Sequence, residues 1–209
     1  MSNYGYSSCS TVNKNNMGTN KKDDSYLIFL SRKPEFNNER IQERFCYLVE
    51  EGEVDSCVSY LEKGIEDSKK MVNPNFVSKQ YNMSALMLAC RAGYDSLVSK
   101  ILNLPGCQPY LLNNKGRFCL SFAVEYGQVS TVKFLVNVCK LNYNLHIYNE
   151  NMSDHKNINM LLLSTLQNND ENVNIFLKNG IGTIDPNETD SYSNTPLLVA
   201  IKNNNDKIV

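Results

Sequence analysis

The sequence predicts an all-α solenoid of paired short helices with hairpin loops, and three observations predict it. A phrase recurs five times, most clearly as SALMLACRAGY from Ser84 and FCLSFAVEYGQ from Phe118. The glycines that close these copies, Gly93 and Gly127, lie 34 residues apart, a period typical of repeat arrays. Within each copy the apolar residues recur with helical spacing.

The other three copies align on the same closing position. ERFCYLVEEGE, NMLLLSTLQNN and TPLLVAIKNNN reach it at Gly52, Asn168 and Asn204. Successive closing residues are 41, 34, 41 and 36 residues apart, so extra residues lie between some units. Stacked arrays tolerate such insertions. We therefore expect a repeat array over residues 39–209, with about four units plus an incomplete fifth.

Apolar and small residues spaced i, i+3, i+4 mark two helices in units two, three and four. These residues are Leu86, Ala89, Cys90 and Leu97, Val98, Ile101, Leu102; Leu120, Ala123, Val124 and Val132, Leu135, Val136; and Leu161, Ser164, Thr165 and Val173, Phe176, Leu177. Isolated helices shorter than about 12–15 residues are marginal in water. Each helix must therefore bury its face against a neighbouring unit, and Leu120 is expected to lie buried between units.

The fifth unit carries residues that resemble the ankyrin repeat family. Thr195, Pro196, Leu197 and Ala200 match the Thr-Pro-Leu-His-x-Ala signature of that family, with Leu198 in place of His. The resemblance covers about 170 residues, from near Glu39 to the end. It implies an ankyrin-type solenoid that recognises other proteins.

Hairpin residues extend the resemblance. Asp154 and Asp190 precede the Thr position of their units by five residues, where the family usually has Asp, and Gly116 matches its hairpin glycine. The Thr-Pro pair is replaced at 84–85, 118–119 and 159–160, which predicts altered helix starts in those units.

The two ends of the chain differ from the array. Residues 1–25 contain almost no aliphatic side chains and are predicted to form a flexible Ser/Asn-rich tail. Residues 26–38 are predicted to be an N-terminal extension or cap on the first unit. Residues 207–209 match only the beginning of a second helix in unit five, so we expect a fragment or a last helix that frays.

Composition narrows the function classes. The formal net charge is −1 with both signs scattered, which argues against nucleic acid and anionic lipid as partners. Seven cysteines without a CxxC pair, four of them inside predicted helices, indicate buried free thiols. Together with the lack of a secretory signal, they predict an intracellular, cytoplasmic location.

Catalytic and metal chemistry has no support in the sequence. His146 and His155 are the only histidines and have no nearby cysteine pair, so a zinc site of usual spacing is not expected. Gly180 and Gly182 do not continue into a phosphate-binding loop. We therefore expect a protein that is not an enzyme and binds no cofactor.

The resemblance implies that hairpin tips and first helices line a concave face that binds a protein partner. Tyrosine and arginine are favoured on this face, because both are enriched among residues that dominate interface energies. The expected partner-binding residues are Tyr81, Arg91, Lys115, Arg117, Glu125, Tyr126, His155, Lys156, Tyr192 and Lys202.

Alternatives remain open at this point. The long segments 65–80 and 141–156 form a second candidate surface, and alternating Tyr143, Leu145, Ile147 and Tyr148 suggest an extended hairpin. The array is expected to be a non-catalytic interaction module. It is alternatively a regulatory domain of a larger enzyme or channel that continues beyond Val209, or a structural spacer.

Overall fold

The computed structural model describes residues 39–66, 71–145, 147, 158–179, 184–190 and 192–209. This part of the chain contains nine α-helices and a π-helical turn, Phe134–Val138, that continues α6. The α-helices are α1 Glu39–Glu50, α2 Val54–Glu66, α3 Ala85–Ala92, α4 Asp95–Leu102, α5 Cys119–Glu125, α6 Val129–Lys133, α7 Met160–Leu166, α8 Asp170–Asn179 and α9 Pro196–Lys202. The predicted tail and cap, residues 1–38, lie outside the described residues.

The helices stack as a solenoid. First helices α1, α3, α5, α7 and α9 pack in chain order, second helices α2, α4, α6 and α8 do the same, and the two helices of each unit pack together. The predicted all-α architecture of paired helices is confirmed. Every helix in the described part of the chain is too short or too polar to cross a bilayer.

The five closing residues share one backbone conformation. Gly52, Gly93, Gly127, Asn168 and Asn204 have φ of 77°, 77°, 70°, 57° and 52°. This left-handed region is open to glycine and is tolerated by asparagine. In all five units, the amide that follows the closing residue donates to a helix carbonyl five residues back, which ends the first helix. The sequence alignment therefore holds in the structure.

In units two to five, the side chain that follows the closing residue contacts the closing residue of the preceding unit. A Cβ at Gly52 would lie 2.7 Å from Tyr94 Oη, and a Cβ at Gly93 would overlap Gln128 Oε1. Gln128 Nε2 also donates to the carbonyl oxygen of Arg91 at 2.9 Å. Glycine at these two positions thus serves both the helix end and the close approach of the next unit.

The predicted faces form the core, with Leu177 as the exception. Leu120 is fully buried between units, as predicted. Leu177 is 40% exposed, whereas Asn172 and Ile175 of the same helix are buried, so the predicted face of α8 is wrong at this residue. The residues after α9 form turns, and the described chain therefore offers α8 no second helix of unit five to pack against.

The helix starts keep side-chain caps despite the missing Thr-Pro pairs. Ser84, Asn159 and Thr195 each accept the amide hydrogen of the residue three positions on. In unit three Phe118 cannot do so, and Ser121 Oγ instead accepts the Phe118 amide at 3.1 Å. The predicted alteration is therefore found in unit three, and it is wrong for Ser84 and Asn159.

The hairpins that precede α5 and α9 have the same internal hydrogen bonds. Asn113 Oδ1 accepts the amides of Lys115 and Arg117 at 3.0 and 2.9 Å. Asp190 Oδ1 accepts those of Tyr192 and Asn194 at 2.8 and 2.9 Å. Asp154 lies outside the described residues.

The long segments are described only in part. Ile147 pairs with Ile158 in an isolated antiparallel bridge, as an extended hairpin through 141–156 requires. Residues 67–70 and 148–157 lie outside the described residues. Ile147 and Ile158 therefore lie side by side at the two ends of residues 148–157.

Candidate functional site

A pocket of about 260 Å³ opens between units two and three. We call it the Tyr126 pocket. Its lining comes from the two successive hairpins and from the solvent side of α5. The lining residues are Tyr81, Asn82, Met83, Asn113, Lys115, Arg117, Phe122, Glu125 and Tyr126.

Hydrogen bonds between asparagine residues hold the two hairpins beside each other. Asn113 Nδ2 donates to the carbonyl oxygen of Asn82 at 3.0 Å, and the Asn114 amide donates to Asn82 Oδ1 at 3.3 Å. Asn82 Nδ2 also donates to Asn114 Oδ1. Asn82 adopts a left-handed φ of 53°, at the position that Gly116 occupies in the next hairpin. These bonds fix the spacing of the two hairpins along the pocket.

Arg117 forms part of the pocket floor and is only 4% exposed. Its guanidinium donates to Ser121 Oγ at 3.4 Å and to Glu125, and lies 5.8 Å from the centroid of the Phe122 ring. Burial lowers the pKa of Arg117, and the Glu125 carboxylate opposes that shift. With so little exposed surface, Arg117 positions Glu125 and Phe122 and offers little contact area of its own.

Arg91 joins three units across the concave face. Its guanidinium forms an ion pair with Glu50 of unit one. The same group lies 5.8 Å from the centroid of the Tyr126 ring of unit three, within cation–π range. The Tyr126 ring is thus held on one face, while 55% of the residue remains exposed.

The two hairpin tips differ in charge environment. Tyr81 is half-buried. Burial raises the pKa of its hydroxyl, and the negative charges of Glu50 and Glu51 raise it further. Lys115 lies on the opposite hairpin, is exposed, and forms no ion pair with any other described residue.

The predicted partner-binding residues fall into separate groups. Tyr81, Lys115, Arg117, Glu125 and Tyr126 line the pocket, and Arg91 contacts Tyr126 from beside it. Tyr192 and Lys202 lie in unit five, where Lys202 Nζ donates to Asn194 Oδ1 at 2.6 Å. His155 and Lys156 lie outside the described residues.

Four lining residues are absent from the predicted partner-binding set: Asn82, Met83, Asn113 and Phe122. Phe122 lies off the i, i+3, i+4 face that Leu120, Ala123 and Val124 define, and a large apolar residue there is the signal that it faces elsewhere. Asn82 occupies the position of Gly116, and Asn113 that of Asp190. Comparing these aligned positions would have marked both asparagines as hairpin residues.

The cysteines of the described region serve packing. Cys46, Cys57, Cys90 and Cys119 are buried free thiols, and Cys107 and Cys139 are half-buried. Burial raises the pKa of Cys46 to about 12 and that of Cys57 to about 11, so both remain protonated at neutral pH. The described residues include no cluster of three or more His, Cys, Asp or Glu that could hold a metal ion.

Comparison with known proteins identifies part of the array. Residues 45–146 match the family described as ankyrin repeats (3 copies). The matched region spans units one to three, from Phe45 in α1 to the start of the long segment, and contains the whole Tyr126 pocket. No curated protein matches the chain.

Proposed function

Because the chain belongs to the ankyrin repeat family, we propose that it is a non-catalytic module that binds a protein partner through its concave face, at the Tyr126 pocket. One observation carries the proposal: five residues chosen from the sequence as contact residues surround this single pocket. The pocket combines an exposed aromatic ring with bonded supports beneath it, an arrangement typical of interface anchors.

The physical role of each group follows from its exposure. Tyr126 offers a large amphipathic surface whose ring is already held against Arg91, so little freedom is lost on binding. Arg117 and Glu125 form a bonded base, and Tyr81 and Lys115 supply the two sides. The free thiols fit a reducing, cytoplasmic compartment, which we include in the proposal.

Two tyrosines of nearly equal exposure allow a matched test. Tyr126 is 55% exposed in the pocket, and Tyr192 is 53% exposed in unit five. Immobilised wild type, Tyr126→Ala and Tyr192→Ala chains are exposed to an extract of the source cells, and retained proteins are quantified by mass spectrometry. Loss of an anchor costs about 2 kcal/mol, or about thirtyfold in affinity.

We expect a defined set of proteins to be depleted by Tyr126→Ala and retained by Tyr192→Ala. Urea unfolding of both variants is the control, because their stability should match that of the wild type. Equal capture by all three chains would contradict a site at this pocket. Depletion only with Tyr192→Ala would move the site to unit five.

A further inference from the structure

We propose that residues 26–30 of this chain, Tyr-Leu-Ile-Phe-Leu, dock in a groove on the outer face of unit one. The groove is formed by α1 and α2, and we call it the N-terminal groove. Docking there covers the end of the array with a segment of the same chain, as stacked repeats require at their ends. The N-terminal groove shares no lining residue with the Tyr126 pocket, so the inference is independent of the proposed function.

The N-terminal groove has a volume of about 480 Å³. Leu48 of α1 and Tyr60 of α2 supply its apolar surface, and two small side chains of α2, Ser56 and Ser59, also line it. The buried Phe45 ring lies 6.2 Å from the Tyr60 ring, centroid to centroid, which holds Tyr60 in place. Because Tyr60 is only half-buried, its ring still presents apolar surface to an occupant.

The groove lies on the face that, in other units, packs against the preceding unit. Unit five identifies this face, because α9 packs against α7, the first helix of unit four. Pro196 and Ala200 of α9 are buried there, whereas Leu197 is 51% exposed. Arg44 of α1 aligns with Pro196, eight residues before the closing residue. Leu48 aligns with Ala200, four residues before it.

Unit one differs from the other units in the size of the side chain on this face. Four residues before the closing residue, units two to five carry small, fully buried residues: Ala89, Ala123, Ser164 and Ala200. Small side chains let the preceding helix approach closely, and Leu48 leaves less room. A helix with its side chains is about 10–12 Å across, whereas paired strands lie about 4.8 Å apart. An extended segment therefore fits this face better than another helix.

Residues 26–30 have the composition that such a groove requires. They are five consecutive apolar residues without a charge, the longest apolar run in residues 1–38. Burial of apolar side chains against Leu48 and Tyr60 removes both surfaces from water, and this is the main favourable term in docking.

The charges around the groove also match those that flank the run. The groove lining includes one acidic residue, Asp55, and two basic residues, Arg44 and Lys63. Acidic residues 23–24 precede the run, and basic residues 32–33 follow it. Each flank therefore has an opposite charge available at the groove, while the uncharged run meets the apolar surface.

The run is close enough along the chain to reach the groove. Residues 31–38 connect it to Glu39, the first residue of α1, and eight extended residues span up to about 26–29 Å. Leu48 lies nine residues after Glu39, or about 14 Å along the helix axis. Such a short tether gives an effective concentration of about 1 mM, which favours this segment over the same segment of a second copy.

Tryptophan fluorescence tests the docking in the full chain, because the chain contains no tryptophan. Phe29→Trp and Leu30→Trp are made in separate chains, since adjacent residues of an extended segment point to opposite sides. Emission wavelength and quenching by acrylamide then report whether each ring is buried. Circular dichroism checks that every variant keeps the fold.

Three kinds of change are combined with each reporter. The double change Leu27→Asp, Ile28→Asp places charges on both sides of the run. Ser56→Arg and Ser59→Arg, made separately, each fill the groove. Ser96→Arg is the control, because Ser96 is an exposed serine on α4 that does not line the groove.

At least one reporter is expected to emit at a shorter wavelength than tryptophan in water and to resist quenching. The double aspartate change and both groove changes should return it to the values of tryptophan in water, and Ser96→Arg should not. Two reporters that both behave as tryptophan in water would overturn the docking. Burial that persists in the groove variants would overturn the groove as the site, and burial that is lost on dilution would assign the contact to a second copy.

Discussion

Unit three and unit five place the same sequence element in different surroundings. Leu120 of α5 and Leu197 of α9 occupy equivalent positions, yet Leu120 is fully buried and Leu197 is 51% exposed. Val124 and Ile201 show the same contrast, at 0% and 53%. In the described chain α5 packs between α3 and α7, whereas α9 packs against α7 alone among the first helices. A recurring apolar residue therefore stabilises a repeat only where both neighbours are present.

The largest expected effect separates these two leucines. Leu120→Asp introduces a carboxylate into an apolar interior without a partner and should lower the free energy of unfolding by about 4 kcal/mol. Leu197→Asp, the same change at the equivalent position, should cost less than about 1 kcal/mol because half of the residue is in water. Urea unfolding followed by circular dichroism measures both, and similar losses would contradict the comparison.

The second expected effect is a loss of stability at alkaline pH, caused by two buried cysteines of unit one. Buried Cys46 and Cys57 have pKa values raised to about 12 and about 11 from an ordinary 9.0, so the folded state holds these protons longer than the unfolded state. Their contribution to stability is complete below pH about 9 and is lost as pH rises through the folded pKa values. At pH 10 the loss should reach about 3 kcal/mol in total.

The pH effect is checked by urea unfolding over a series of pH values. The double variant Cys46→Ala, Cys57→Ala is the control, since other groups also titrate in this range. It should show a shallower decline above pH 9 than the wild type. Parallel declines would mean that the thiols do not cause the alkaline loss.

The smallest expected effect is a gain of stability in unit four. Asn172 is fully buried on α8, and its side-chain oxygen and nitrogen form no hydrogen bond within the described structure. The equivalent residue in unit two is Leu97, also fully buried. Asn172→Leu should raise the free energy of unfolding by about 1–2 kcal/mol, because it removes an unsatisfied amide at similar volume.

Asn174, an exposed residue of the same helix, provides the control for that change. Asn174→Leu should alter the free energy of unfolding by less than about 0.5 kcal/mol. Chemical unfolding of the two variants beside the wild type gives the comparison. A loss of stability in Asn172→Leu would show that the amide is satisfied in solution, by a buried water for example.

The sequence was sufficient for the features that each unit determines by itself. Closing residues, helix pairs and the hairpin position of Asp190 depend on local backbone requirements, which recur with the repeat. Exposure of Leu177 and Leu197 depends on what packs against them, and no local pattern carries that information.

The candidate site was predicted in outline for a related reason. The hairpin and first-helix positions follow from the repeat register, which is why Tyr81 and Tyr126 lie on the same pocket. The burial of Arg117 depends on Ser121, Phe122 and Glu125 closing over it, and such three-dimensional packing leaves no periodic trace in the sequence.

The side chain that follows each closing residue also constrains how the array can evolve. Tyr94 and Gln128 rest on Gly52 and Gly93 without room for a Cβ, while smaller Asn205 rests on Asn168 and donates to its Oδ1 at 2.7 Å. A Cβ at either glycine would displace the end of a side chain of the next unit, so a closing glycine changes to asparagine most readily where the next unit supplies a shorter side chain. Covariation between these positions, about one repeat apart, should be visible among homologues of this protein.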